Sequence, residues 1–181
     1  MISLTIHLDT AVAGWKKSFT KMNEKIEMAV AAAFLDAKKP RAFTGRNFEI
    51  AVLLSDDKTI KDLNHTFRGQ NKPTNVLSFP QMKMEGLTAK MLKEFPSEGA
   101  IPLGDVVLAL QTIKRECREQ KKTLENHTIH LVVHGTLHLL GYDHMKAKDA
   151  KIMEKLECDI LESLGYPDPY HAIEPPQKRR R

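Results

Sequence analysis

Cysteine is nearly missing. Cys117 and Cys158 are the only thiols among 181 residues, and they fall far apart in helix-like segments. Two isolated cysteines supply neither a disulfide framework nor a paired-thiolate metal site, and they fit a reducing cytoplasm. No stretch approaches the roughly 20 consecutive apolar residues that a membrane span needs. The start, MISLTIHLDT, has no basic segment followed by an apolar run, as a secretory signal would. The expectation is a soluble, cytoplasmic protein with no membrane partner. Aromatic residues are only 6% of the chain and form no ladder, which argues against a platform on which successive bases stack.

What is present is charge. Charged residues make up 28% of the chain and the net charge is +5, a lean towards anionic partners. The length fits one domain with a core that needs no staple, so a metal here points to catalysis more than to structure. We expect a single domain over 1–170 and a basic tail over 171–181, whose Pro-Pro-Gln-Lys-Arg-Arg-Arg end has no means of packing.

Residues 2–7 alternate apolar and polar, the period of a half-buried strand. Trp15, Phe19, Met22, Ile26, Val30 and Phe34 recur at helical spacing and predict one long helix. A second strand over Phe48–Leu54 leads into Ser55-Asp56-Asp57, which can cap a helix over Thr59–Phe67, with Arg68 just past its end. Val76–Phe79, stopped by Pro80, reads as an edge or terminal strand, and Gln81–Ala100 as a mobile loop with room for a short helix. A strand around Val106–Leu108 precedes a basic helix over about 109–122. Thr123 then caps a helix to Leu140 that is apolar on most sides, and a last helix covers about 147–164. The expected fold is α/β (α+β): a small mixed, roughly four-stranded sheet packed with five to six helices. There is no internal repeat.

The chemistry concentrates in His134-Gly-Thr-Leu-His138-Leu-Leu-Gly-Tyr-Asp-His144. Imidazoles four apart share one side of a helix, so His134 and His138 can bind one ion, and His144 can join them only if the helix stops between. Gly141 supplies that stop. Three neutral imidazoles leave one tetrahedral position for water, the layout of a catalytic zinc site with one Zn2+ per chain, in which bound water ionises near neutrality. Nickel, copper or cobalt can also occupy such a set in vitro, whereas magnesium and calcium are disfavoured. His127 and His130 read as ordinary core histidines.

The offsets of four and ten, with glycine at offset seven, match the site of metzincin peptidases except at one position. Where those enzymes carry a general-base glutamate after the first histidine, this chain has Gly135, which moves no proton. The whole string from His134 to His144 resembles instead the signature of the YbeY family of endoribonucleases. A second block from Asn64 through Arg68 and Lys72 to Pro80, then Gly104-Asp105-Val106, then Leu164-Gly165 with Pro169-Tyr170, extend that resemblance over nearly the whole chain.

The resemblance implies a zinc-dependent, single-strand-preferring endoribonuclease in ribosomal RNA maturation, at the 3′ end of the small-subunit (16S) RNA, and in ribosome quality control. Its partners would be RNA and the small ribosomal subunit. Arg68 matches the family's functional arginine, and a guanidinium suits a scissile phosphate; Lys72 joins it as an RNA contact. Where family members often carry aspartate, this chain has Asn75, which weakens any acid–base role there. Asp143 is a candidate to orient a ligand imidazole or to cap the turn, and Ser78 and Asp105 are weaker candidates near strand ends. Lys58 and Lys61, with Lys114, Arg115, Arg118, Lys121 and Lys122, form either a phosphate-binding surface or ordinary solvated helix faces. Two other readings stay open: a zinc peptidase of metzincin-like type, and a noncatalytic ribosome-assembly factor that uses zinc to hold an RNA-binding surface.

Overall fold

The computed structural model describes residues 2–16, 18–39, 43–84, 87–95 and 99–170. The basic tail expected over 171–181 lies outside the described residues. Four strands form one mixed sheet: β1 (Ser3–Thr10), β2 (Asn47–Ser55), β3 (Val76–Pro80) and β4 (Ile101–Ala109). Their order is β1-β2-β4-β3, with β1, β2 and β4 parallel and β3 antiparallel on the edge beside β4. Six helices accompany the strands among the described residues: α1 (Met22–Asp36), α2 (Asp57–Arg68), α3 (Ala89–Leu92), α4 (Leu110–Gln120), α5 (Leu124–Leu139) and α6 (Ala147–Ser163). The α/β expectation holds, and no helix among the described residues is long and apolar enough to cross a membrane.

One element differs from its expected span. The helical stripe from Trp15 to Phe34 does not form one helix: Ala13–Trp15 is a single 3-10 turn, and α1 begins at Met22 after Lys21 takes a left-handed backbone with φ 54°. Trp15 keeps the helical phase because it enters the same core, where it is fully buried and its indole N–H donates to the carbonyl of Ser55 at 2.8 Å. Arg68 is the last residue of α2, with Gly69 as the cap beyond it, and Asp56 accepts from the Thr59 N–H at 2.8 Å at the other end. In the segment read as a mobile loop, α3 anchors itself through Leu92, which is buried in the core.

The main core lies between the sheet and the layer of α1, α5 and α6, and within it Phe43 stacks on both Phe34 and Phe48. A smaller cluster of Ile60, Leu77, Val107 and Ala109 fills the space under α2 on the other face. Edge strand β3 therefore faces both ways: Ser78 turns to α5, and Leu77 turns to Ile60 of α2.

Helix α5 lies unusually close to the sheet at Gly135. A Cβ at that position would come within 2.6 Å of Val106 Cγ1 and 3.1 Å of Ser78 Oγ. The glycine that stands where a peptidase would carry glutamate is thus a packing requirement of this fold. Gly135→Ala is expected to cost about 1–3 kcal/mol through overpacking. Thermal unfolding checks this, and an unchanged midpoint would contradict it.

Candidate metal centre and its cavity

Helix α5 is started by Thr123, whose hydroxyl accepts from the Asn126 N–H at 3.1 Å, and it delivers His134 and His138 one turn apart. The chain then reverses. Gly141 takes φ 88°, a conformation that side-chain-bearing residues rarely adopt, and the Tyr142 N–H returns to the Leu137 carbonyl at 3.1 Å. This reversal carries His144 back over the end of the helix. The ligand-capable atoms of His134, His138 and His144 lie within 4.8 Å of one another, and the ring centroid of His144 is 5.4 Å from that of His134 and 5.0 Å from that of His138.

The hydrogen bonds on the far side of two rings determine what this cluster can do. His138 Nδ1 lies 2.9 Å from the carbonyl oxygen of Tyr142, which can only accept, so Nδ1 carries the proton. His134 Nδ1 lies 2.8 Å from Glu157 Oε1, a carboxylate oxygen that also accepts. In the neutral rings both Nε2 atoms are then left with lone pairs, and they face each other at 3.1 Å. Two lone pairs cannot bond one another. Their spacing is close to the roughly 3.3 Å between ligands on tetrahedral zinc with Zn–N near 2.0–2.1 Å. The donor set therefore fits a cation, and the three-histidine site can hold a metal ion.

The same side chains line a cavity of about 410 Å³ together with Arg68, Thr74, Asn75, Val76, Ser78, Pro80, Asp143 and Met145. Arg68 projects from the end of α2, and its guanidinium has no ion-pair partner among the described residues. A surface salt bridge is thus not what holds it there. Asn75 is fixed from two sides: its Oδ1 accepts from the Val76 N–H at 2.7 Å and its Nδ2 donates to Glu116 Oε2 at 3.0 Å.

Other candidate residues are placed differently. Ser78 lines the cavity, but its hydroxyl is committed to the Gly135 carbonyl at 3.1 Å and ties β3 to α5. Asp143 caps the turn by accepting from the His144 N–H at 2.7 Å; the imidazole-orienting contacts come from Glu157 and Tyr142 instead. Asp105 is not brought to the histidines. Strand alternation turns Val106 towards α5, so Asp105 faces the opposite side, where Gln81 Nε2 donates to it at 3.2 Å and it lines a different groove with Phe67 and Phe79. Lys72 is exposed in the loop after α2 and does not line the cavity. On α4, Arg115 pairs with Asp57 at 3.8 Å, while Lys122, just beyond the helix, donates to the Pro169 carbonyl at 2.7 Å.

Glu157 was not apparent as a functional residue from the sequence. It is fully buried on α6, between Met153 and the pair Ile160 and Leu161, and a carboxylate interrupting an apolar stripe is the signal that marks it. His127 is a buried core residue as expected and His130 is partly buried, each held by a carboxylate: Glu116 at 2.7 Å and Glu157 at 2.9 Å.

Fold and site together define an α/β protein with a three-imidazole site that can hold a metal ion, in a cavity also lined by an arginine with no ion-pair partner among the described residues. The family described as Endoribonuclease YbeY matches residues 14–165. Proteins named Endoribonuclease YbeY are 48% identical over 147 residues in Bradyrhizobium diazoefficiens (80% of this chain, 74% of that one). In Rhizobium etli the identity is 37% over 177 residues (95% and 96%), and in Parvibaculum lavamentivorans 52% over 130 (71% and 69%). The solution structure of TM1509 from Thermotoga maritima has the same fold, with a TM-score of 0.50 at 24% identity over 92% of this chain and 99% of that one. This chain belongs to the endoribonuclease YbeY family, and with it to the hydrolases that act on RNA. The peptidase reading is set aside.

Two groups make metal-free stability depend on pH. Burial, reinforced by the neighbouring His134 and His144, lowers the pKa of His138 to about 4. An unfolded chain takes up that proton near 6.5, so stability present above that pH is lost as the pH falls towards 4. Burial works to raise the Glu157 carboxyl, but hydrogen bonds from His130 and His134 hold it at about 2, adding stability that is lost below the ordinary carboxylate range. Thermal unfolding of chelator-treated protein is expected to show a midpoint that falls between pH 6.5 and 4, less steeply in His138→Gln; a flat profile would contradict this.

Proposed function

We propose that this protein is a zinc-dependent endoribonuclease that cuts single-stranded segments of ribosomal RNA, acting in maturation of the small-subunit 3′ end and in ribosome quality control. The observation that carries the reading is the pair of opposed Nε2 lone pairs, closed by His144, in one cavity with the unpaired Arg68. His134, His138 and His144 would hold the ion. When bound, zinc supplies a Lewis acid that activates water and stabilises developing negative charge.

The chain's own residues account for the rest. Arg68 grips nonbridging oxygens of the scissile phosphate and offsets the charge that grows there. The rigid carboxamide of Asn75 shapes the wall opposite and moves no proton. Gly135 provides no base, so proton transfer at the attacking oxygen does not use the position that peptidases use. Either water or the adjacent ribose hydroxyl can be the nucleophile, and the product ends separate them, a cyclic phosphate marking the ribose route. Residues 1–170 form the catalytic unit and the basic stretch 171–181 adds salt-sensitive affinity for RNA, with Lys72 as a further backbone contact. The setting is the cytoplasm, with the small ribosomal subunit as partner.

Arg68→Ala is expected to lower cleavage of unstructured RNA by about 10²–10³-fold. Because the side chain is exposed and unpaired, the unfolding midpoint should stay put. Cleavage left intact by both Arg68→Ala and His138→Ala in carefully purified protein would contradict the proposal, and would favour the noncatalytic assembly role with a contaminating nuclease as the source of activity.

A further inference from the structure

Glu157 is fully buried, yet its carboxylate is one of the most heavily used acceptors in the molecule. Its Oε2 takes hydrogen bonds from two sides: the His130 Nε2–H at 2.9 Å and the Tyr170 hydroxyl. Its Oε1 faces His134 Nδ1 at 2.8 Å, its one side-chain contact among the described residues. The two donors on Oε2 come from different parts of the chain. His130 is one turn before His134 on α5, and Tyr170 lies beyond α6, in a segment held by the Asp168 carboxylate on the Tyr170 N–H at 2.8 Å and by Lys122 on the Pro169 carbonyl at 2.7 Å. A carboxylate clamped in this manner has one free choice, to present Oε1 to the His134 ring.

The three histidines are therefore supported unequally. His134 has an ionised carboxylate behind it, His138 has a neutral carbonyl, and His144 is exposed with no hydrogen bond to its ring among the described residues. A carboxylate behind an imidazole fixes the ring's tautomer and raises its basicity towards a cation. Resting on the reading of the three histidines as a zinc site, we propose that Glu157, held by His130 and Tyr170, is a positioning residue that locks His134 with its proton on Nδ1 and its lone pair towards the ion.

A competing use of the same atoms is a second ion. His130, His134 and Glu157 also form a group that can hold a metal. Hydrogen bonds at 2.8 and 2.9 Å already satisfy both histidine contacts, so the arrangement is complete without one. An ion there would displace the proton that we place on His134 Nδ1.

Glu157→Gln separates these cases at nearly constant shape. An amide has one accepting oxygen. If that oxygen serves His130 and Tyr170, its NH₂ faces His134 Nδ1 and drives the ring's proton to Nε2, the position the ion needs. Nitrogen NMR of the imidazoles in chelator-treated protein should find the His134 proton on Nδ1 in the wild type and on Nε2 in Glu157→Gln. Competition between the protein and a chromophoric chelator for zinc should show affinity reduced about 10–100-fold in Glu157→Gln. Tyr170→Phe removes one Oε2 donor and leaves the His134 contact, so it should weaken zinc binding only a few-fold. It decides the matter if Glu157→Gln does not fold.

Wild-type affinity in both variants, a wild-type His134 proton on Nε2, or two zinc ions per chain with one lost in Glu157→Gln would each overturn the assignment. None of these readouts uses RNA. A wild-type protein that binds no zinc would instead sink the functional reading itself.

Discussion

The site depends on where two protons are placed. With Nδ1 of His134 committed to Glu157 and Nδ1 of His138 committed to the Tyr142 carbonyl, the remaining nitrogens of both neutral rings are acceptors that face each other at 3.1 Å. A proton or a cation can bridge two such lone pairs. Protonation is opposed by burial and by the neighbouring imidazoles, which lower the His138 pKa to about 4. The three-histidine donor set can hold a metal ion. The chain belongs to a family of hydrolases that act on RNA, and Arg68 lines the same cavity as the three histidines.

The fold serves this arrangement in two ways. Helix α5 is pressed against edge strand β3 and its neighbour β4 at Gly135, so His134 and His138 on either side of it are held against the sheet, with Ser78 bonded to the helix backbone. Edge strand β3 is covered by α5 on one face and α2 on the other, and the end of α2 with the loop that follows it brings Arg68, Thr74 and Asn75 to the histidine cavity. The cavity exists because a short strand at the sheet edge lets two helices approach the same opening.

Much of this was legible in the sequence because it is local. A helix period, a four-residue offset and a glycine stop all lie within the eleven residues from His134 to His144, and the turn chemistry of Gly141 follows from its type. Strand and helix spans were readable for the same reason, except where Trp15 and Phe19 kept a helical phase across a left-handed break at Lys21. What escaped is tertiary. Glu157 is 23 residues from His134, and nothing in its neighbourhood says which ring it meets. Asp105 drew notice by its strand-end position, but one step of strand alternation separates it from the face that matters. Asp143 was a candidate either to orient an imidazole or to cap the turn, and the structure uses it on the backbone of its neighbour.

The most direct measurement is anomalous diffraction at the zinc edge from crystals of the protein grown with zinc. One strong peak per chain is expected among His134 Nε2, His138 Nε2 and a ring nitrogen of His144, in the cavity that Arg68 lines. A peak between His130 and Glu157 with none among the three, or rings turned apart with no peak at all, would contradict it.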